Sequence, residues 1–310
     1  MNTLTNTQTQ ITIKEPRITG DLLQSYIDYL DATPKTIDTY AKAIRQFKQW
    51  IDIREIQAPT RQDVIAFRDS MEQDHKPTTI NTYVIAIRQF FKWTELNGLY
   101  PNIADHVKGK KISRAPKKDY LTPNQVKQIL NSIDRDTLEG KRDYALLCLM
   151  VTCGLRDIEV NRANIEDIRT LGANTVLYLQ GKGRDDKNEY VTLPGATESA
   201  IRDYLSTRQA TEHEPLFVGI SNHGKGNRLT TRSISRIVKN TFVRNGFDTS
   251  RLTAHSLRHT AVTLALQSGN SLQEVQQFAR HTNINTTLIY AHNLEKQNNQ
   301  CANSIANQLF

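Results

Sequence analysis

The chain has 310 residues, enough for two domains that each bury a core of their own. Its 40 lysines and arginines against 32 aspartates and glutamates leave a formal charge of +8, which suits a polyanionic partner such as nucleic acid and disfavours an acidic-substrate pocket; a mildly basic soluble protein fits that charge equally well. No apolar run reaches the length of a membrane span, no charged-then-apolar leader opens the chain, and Cys148, Cys153 and Cys301 form no CxxC pair and have no histidine at zinc spacing. The expectation is a soluble cytoplasmic protein with reduced thiols, no disulfide framework, no metal and no membrane partner.

Residues 1–17 are rich in Thr, Asn and Gln and bury too little to offset ordering entropy, so they read as a disordered tail. Residues 18–105 read as a small helical domain containing a near-repeat. Thr36-Ile-Asp-Thr-Tyr-Ala-Lys-Ala-Ile-Arg-Gln-Phe-Lys-Gln-Trp50 matches Thr79-Ile-Asn-Thr-Tyr-Val-Ile-Ala-Ile-Arg-Gln-Phe-Phe-Lys-Trp93 at an offset of 43 residues. Ile37, Tyr40, Ile44 and Phe47 fall at helical spacing, as do Ile80, Tyr83, Ile87 and Phe90, so each copy is a helix with an apolar stripe facing a core. Each helix begins at a Pro34-Lys-Thr36 or Pro77-Thr-Thr79 sequence, where Thr36 and Thr78 or Thr79 are the expected caps and the proline stops any helix before it. Two copies are too few for a solenoid, and the pattern predicts two crossing hairpins. Arg45 and Arg88 follow the stripes; each is a candidate phosphate contact and equally an arginine in solvent.

Residues 106–120 have no apolar periodicity and read as a basic linker, whose Lys108, Lys110, Lys111 and Arg114 are candidate DNA-backbone contacts. A linker merely solvated is the other reading. At Leu121-Thr-Pro a new helix begins, with Thr122 as N-cap and Pro123 in its first turn, opening a second domain over 121–292. Apolar residues from Lys141 to Cys153 predict a buried helix holding Cys148. Thr175–Leu179 and Glu189–Pro194 predict two strands around a Gly181–Asp186 turn. Helices follow near Ala196–Arg208, Thr231–Asn245, Ser256–Ser268, Ser271–Phe278 and Asn285–Ala291. The fold class is mainly α, with a small β-element in the second domain.

Four segments concentrate groups able to act on a phosphodiester: Cys153-Gly-Leu-Arg156-Asp-Ile-Glu159, Gly181-Lys182-Gly-Arg184, His255-Ser-Leu-Arg258-His259, and His281 through Tyr290 to His292. Taken singly, each has an ordinary structural reading: a surface ion-pair arginine, a glycine turn, the polar face of a buried helix, a core tyrosine. In this order and spacing, however, they resemble the tyrosine recombinase (phage integrase) family, marked by an Arg, Lys, His-x-x-Arg, His, Tyr set. The resemblance runs from about Leu121 to His292. The preceding helices resemble the family's core-binding, SAM-like domain, especially in compact Xer-type and mobile-element members.

Carried over by position, the resemblance implies that Arg156, Lys182, His255, Arg258, His281 and Tyr290 are catalytic, Tyr290 as nucleophile, with Glu159 supporting them from behind. It implies a C-shaped DNA clamp, an inverted-repeat core site in double-stranded DNA, a nucleoid-associated protein and a homotetramer on synapsed DNA, or a heterotetramer with a paralogue. Two departures stand out: Cys153 replaces the usual Thr, and Ala279-Arg280-His281 replaces Leu-Gly-His, placing a bulky cation beside the site.

The chemistry agrees with these roles. A phosphorane-like transition state gathers charge on its equatorial oxygens, which two guanidiniums satisfy with planar, charge-assisted contacts; Arg156 and Arg258 fit. An alkoxide leaves poorly unless protonated, and Lys182 on a β-turn reaches such a group. A phenol is protonated near neutrality, so Tyr290 needs a proton acceptor, for which His255 is the better placed. His281 suits a hydrogen bond to a non-bridging oxygen, and Glu159 suits orienting Arg156 or His255. His259 reads chiefly as structural and His292 as packing. No cofactor is called for: the phosphotyrosyl bond retains the energy of the broken linkage, and no GxxxxGK[ST] sequence is present.

The expected activity is therefore site-specific strand cleavage and rejoining through a 3′-phosphotyrosyl intermediate, for integration or excision of a mobile element or resolution of DNA multimers. Supercoil relaxation of the type IB topoisomerase kind, or DNA binding without catalysis, are the alternatives. Residues 293–310 carry an apolar stripe of Cys301, Ile305 and Leu309, which packs at home or, as the resemblance implies, docks on a neighbouring subunit.

Overall fold

In the computed structural model, residues 17–112, 119–181, 186–221, 224–297 and 299–310 are described. They divide between residues 114 and 115 into two compact units. The first contains α1 (Gly20–Tyr29), α2 (Pro34–Ile53), α3 (Arg61–Ser70) and α4 (Pro77–Leu96). The repeated segments are α2 and α4, which pack on one another, while α1 and α3 both pack on α2. Each repeat helix starts earlier than its threonines suggest. Proline at N1 loses nothing, because the first N–H groups of a helix have no partner inside it. Thr33, not Thr36, caps α2 by accepting from the Thr36 N–H, and Lys76 precedes α4 without a side-chain cap.

The copies diverge in burial. Ile80, Tyr83, Ile87 and Phe90 are all buried in α4, whereas in α2 only Ile44 and Phe47 are, Ile37 and Tyr40 being half-exposed. The sequence explains this: where α2 has Ala41 and Lys48, α4 has Val84 and Phe91, both buried, so α4 is apolar beyond a single stripe. Phe90 meets Tyr26 edge-on at 5.4 Å, and Phe47 does the same with Phe67 at 5.3 Å. Residues 106–112 lie against this unit. Val107 is buried, the Lys110 N–H donates to Asn81 Oδ1 at 2.6 Å, and the Lys110 ammonium pairs with Asp69 at 2.6 Å and with Glu72.

The second unit contains α5 (Pro123–Asn131), α6 (Leu138–Thr152), α7 (Asp157–Arg162), β1 (Ile168–Leu171), β2 (Asn174–Leu179), β3 (Glu189–Thr192), α8 (Gly195–Leu205), α9 (Thr231–Arg244), α10 (Ala254–Gln267), α11 (Leu272–Ala279), α12 (Ile284–Gln297) and α13 (Cys301–Leu309). Thr122 caps α5 with Pro123 at its start. The apolar helix α6 is the central element, covered by α5, α8, α9 and α10, and Ala145 through Val151 are all buried along it. Cys148 and Cys153 lie in this core, where burial raises the thiol pKa of both.

The sheet is antiparallel in the order β1-β2-β3, pairing Leu177 with Ile168 on one side and Val191 on the other. It has a strand more than the sequence predicts. β1 is four residues long and joins β2 through Gly172-Ala173, Gly172 taking φ +59° as a two-residue hairpin loop requires. Among the described residues no helix is long and apolar enough to cross a membrane, and no group of His, Cys, Asp and Glu is arranged to hold a metal ion. Helix α13 buries none of its residues: Ile305 and Leu309 are 58% and 70% exposed.

Candidate active site

The site residues come from three places in the second unit: the α6–α7 loop, α10, and the α11–α12 turn with α12. Helix α6 ends at Cys153, and the chain reverses at Gly154, whose φ of +60° is a conformation that glycine adopts without strain. A Cβ there would meet the Phe278 ring at 3.3 Å. Leu155 buries completely, which brings Arg156 to the N-cap of α7 with its side chain 30% exposed.

Glu159, one turn into α7, is fully buried and holds this corner together. Its Oε2 accepts the Arg156 N–H at 2.8 Å and its Oε1 accepts Arg156 Nη1 at 2.7 Å. Burial works to raise its pKa, but the Arg280 charge and the Arg156 hydrogen bonds outweigh that and leave the carboxyl below its usual range.

Helix α10 starts just after Thr253, placing His255 in its first turn and Arg258 one turn further on. His255 is exposed while Arg258 is 1% exposed. Arg258 Nη1 donates to the Gly154 carbonyl at 2.6 Å, and Nη2 donates to the Ala279 carbonyl. Burial, then the charges of Arg156 and Arg280, push its pKa down to about 9, so it remains a cation near neutrality.

Helix α11 closes on a left-handed residue, Arg280, at φ +52°. The Arg280 N–H donates to the Gln277 carbonyl at 2.9 Å and the His281 N–H to the Gln276 carbonyl at 3.0 Å, a Schellman closure. His281 is thereby directed inward, 8% exposed, with Nδ1 2.9 Å from the buried Thr287 hydroxyl. Burial, followed by the charges of Arg258, Arg156 and Arg280, pushes its pKa down to about 4, so the ring is neutral at pH 7.

Tyr290, on α12, is 8% exposed and packs with Val262, Val275 and Ala279. Its ring contacts two imidazoles, His259 at 4.6 Å and His281 at 6.1 Å between centroids. His255 meets His259 edge-on at 5.4 Å, so a row of rings runs His255, His259, Tyr290, His281. Burial raises the phenol pKa, and the Arg258 and Arg156 charges offset this only in part. Sequence reasoning set His259 aside and treated Arg280 as a departure; both belong to this cluster. The signal for Arg280 was its place next to His281, and for His259 its i+4 step from His255.

Lys182 lies outside the described residues. The neighbouring Gly181 carbonyl accepts Arg162 Nη1 of α7 at 2.8 Å, tying that end of the β2–β3 loop to the helix that bears Glu159. His292 is exposed and lies 3.3 Å from Glu295. In the first unit Arg45, Arg88, Lys108 and Lys111 are exposed, and Lys110 is held by its two carboxylates. Arg114 lies outside the described residues.

A family model described as the phage integrase family matches residues 119–297, more than half of the chain. The chain belongs to the phage integrase family. A second family model, the N-terminal SAM-like domain of phage integrases, matches residues 21–99. Among curated relatives, tyrosine recombinase XerC of Caldanaerobacter subterraneus subsp. tengcongensis is 34% identical over 188 residues, 59% of this chain and 50% of that protein. Tyrosine recombinase XerD of Listeria innocua is 30% identical over 176 residues, 56% of this chain and 57% of that protein. The chain thus spans between half and two thirds of the length of these integrase-family relatives.

The fold is shared with XerH site-specific recombinase bound to palindromic difH substrate, at TM-score 0.72 and 23% identity over 87% of this chain and 80% of that one. It is shared also with the Tn1549 transposon integrase in complex with transposon right end DNA, at TM-score 0.67 and 17% identity over 89% of this chain and 98% of that one.

Proposed function

We propose that this integrase-family chain is a site-specific DNA recombinase that cuts and rejoins strands through a 3′-phosphotyrosyl bond. The observation that carries the reading is the convergence of Arg156, Arg258, His281 and Tyr290 from three separate segments around the Glu159 and Gly154 anchors. Such an assembly has little use in a core that only needs to be apolar, because burying cations costs free energy without a role for their charge.

In this reading the Tyr290 oxygen attacks the scissile phosphorus, its proton passing to His255. The bond from phosphorus to the 5′ oxygen breaks, and that oxygen takes a proton from Lys182. Arg156 and Arg258 hold the non-bridging oxygens as charge develops on them. Neutral His281 donates one further hydrogen bond through Nε2, which requires the Thr287 hydroxyl to donate to Nδ1. Attack of a 5′ hydroxyl from the other duplex on the phosphotyrosine reverses the step and needs no ATP.

The partner is double-stranded DNA with an inverted-repeat core site, contacted also by Arg45, Arg88 and the cations of the 108–114 segment. Four copies assemble on two duplexes, with the exposed α13 docking in trans. The biological task is integration or excision of a mobile element, or resolution of DNA multimers.

The test is a nicked suicide duplex built from DNA crosslinked to the protein and sequenced. A covalent adduct on that site, absent in Tyr290→Phe, is the expected outcome; an adduct that persists in Tyr290→Phe, or none in the wild type, overturns the reading.

A further inference from the structure

We infer that Arg280 is a positioning residue, which stays off the substrate and locks the His281 turn to the loop that carries Arg156. The inference rests on the cleavage reading above, and it concerns a position where the sequence departs from the family's Leu-Gly-His.

The backbone argues first. Arg280 holds the left-handed conformation at the close of α11, where glycine is favoured and any other residue is strained by about 1 kcal/mol. A large side chain in that place implies that its contacts offset the strain. These contacts all lead away from solvent. The guanidinium donates to the Phe278 carbonyl at 2.8 Å, to Gly154 at 3.1 Å and to Cys153 at 3.5 Å, and it meets Glu159 Oε2 at 2.9 Å. Its side chain is 5% exposed and its Nε has no partner, so it lies behind the carboxylate, while Arg156 in front is 30% exposed. A phosphate reaching Arg156 therefore does not reach Arg280.

The connections explain what the lock does. Arg280 and Arg258 both donate to the Gly154 carbonyl, and Arg280 and Arg156 share the Glu159 carboxylate. Three segments are thus joined through two acceptors. Three guanidiniums against one carboxylate leave two positive charges in excess (3 − 1 = 2), matched to a phosphodiester whose negative charge grows during attack.

The charge acts on His281 too. That ring stacks on Tyr290 of α12, and it feels the charges of Arg258 and His255 from α10, Arg156 from the start of α7 and Arg280 from its own turn. Each cation disfavours its protonation, and removing Arg280 moves its titration upward.

The test uses the full chain with two variants, single-turnover cleavage of the crosslink-derived suicide duplex, gel-shift affinity for it, and proton titration of His281 by NMR without DNA. Arg280→Gly suits the left-handed backbone and leaves Glu159 paired with Arg156. It is expected to cleave at least tenfold more slowly with affinity within twofold, and to raise the His281 midpoint from about 4. Arg280→Lys keeps the charge and not the fork, so it leaves the midpoint low while cleavage still falls. Arg280→Gly with wild-type cleavage and a wild-type midpoint overturns the inference. A wild-type protein that forms no adduct overturns the cleavage reading instead, and the DNA-free titration then decides whether Arg280 acts on the turn.

Discussion

The ring of His259 lies 4.6 Å from that of Tyr290, the first half-buried and the second buried. Burial, then the charges of His255 and Arg258, push the His259 pKa down to about 4, as for His281. Both are neutral in the fold at pH 7. In the unfolded chain they take up protons below about pH 6.5, so between there and pH 4 the unfolded state binds more protons and stability is lost as pH falls. The expected loss is about 2 kcal/mol per histidine after allowance for partial exposure. Thermal melts from pH 7.5 to 4.5 check this: the slope is expected to shrink in the His259→Gln, His281→Gln double variant, and an unchanged slope would count against it.

Gly154→Ala forces a side chain onto a φ of +60° and against the Phe278 ring at 3.3 Å. A destabilisation of about 1–2 kcal/mol is expected. Because the Gly154 carbonyl accepts both Arg258 and Arg280, cleavage is expected to fall further than stability does. Chemical denaturation beside suicide-substrate kinetics separates the two effects.

Glu159→Gln leaves Arg156 and Arg280 without the buried carboxylate that both hold. The expected cost is about 3 kcal/mol, since breaking a buried pair strands a charge. Denaturant midpoints measure it, and a change below about 1 kcal/mol would show that solvent reaches the pair.

DNA affinity is expected to fall linearly on a log–log plot against salt. Arg45→Ala and Arg88→Ala, both at exposed positions, should each reduce that slope by about one. Lys110→Ala should change it less, because its ammonium is held by Asp69 and Glu72. Fluorescence anisotropy across 50–300 mM salt distinguishes them, these concentrations being of the order at which phosphate contacts are weakened.

Truncation after Gln297 removes α13, which buries none of its residues. The melting temperature is therefore expected to stay within about 2 °C, while higher-order complexes on DNA weaken. Sedimentation of protein–DNA complexes reads the second effect, and unimpaired assembly would sink the trans-docking proposal.

Much of this was legible in the sequence. The stripes Ile80, Tyr83, Ile87 and Phe90 announced a core helix, because helical periodicity is a one-dimensional signal. The set Arg156, His255, Arg258, His281 and Tyr290 came from the resemblance to the family in order and spacing, not from periodicity. The helices begin at the Pro34 and Pro77 sequences as read, but their caps were misplaced: Thr33 caps α2 in place of Thr36, and Lys76 precedes α4 without a side-chain cap. β1 was missed because four residues carry too little alternation. The shared acceptors were hidden for a different reason. Gly154 and Ala279 take part through their carbonyl oxygens, which every residue has, so residue type gives no sign of them.

That last feature bears on how such a protein tolerates change. A hub made of main-chain oxygen is inherited by any sequence that keeps the bend, so side chains around it are free to drift while the guanidinium geometry persists. Under the proposed recombinase reading, exchanging surface residues of the first unit to retarget DNA binding should then leave the proposed cleavage intact, and the two properties can be selected one after the other.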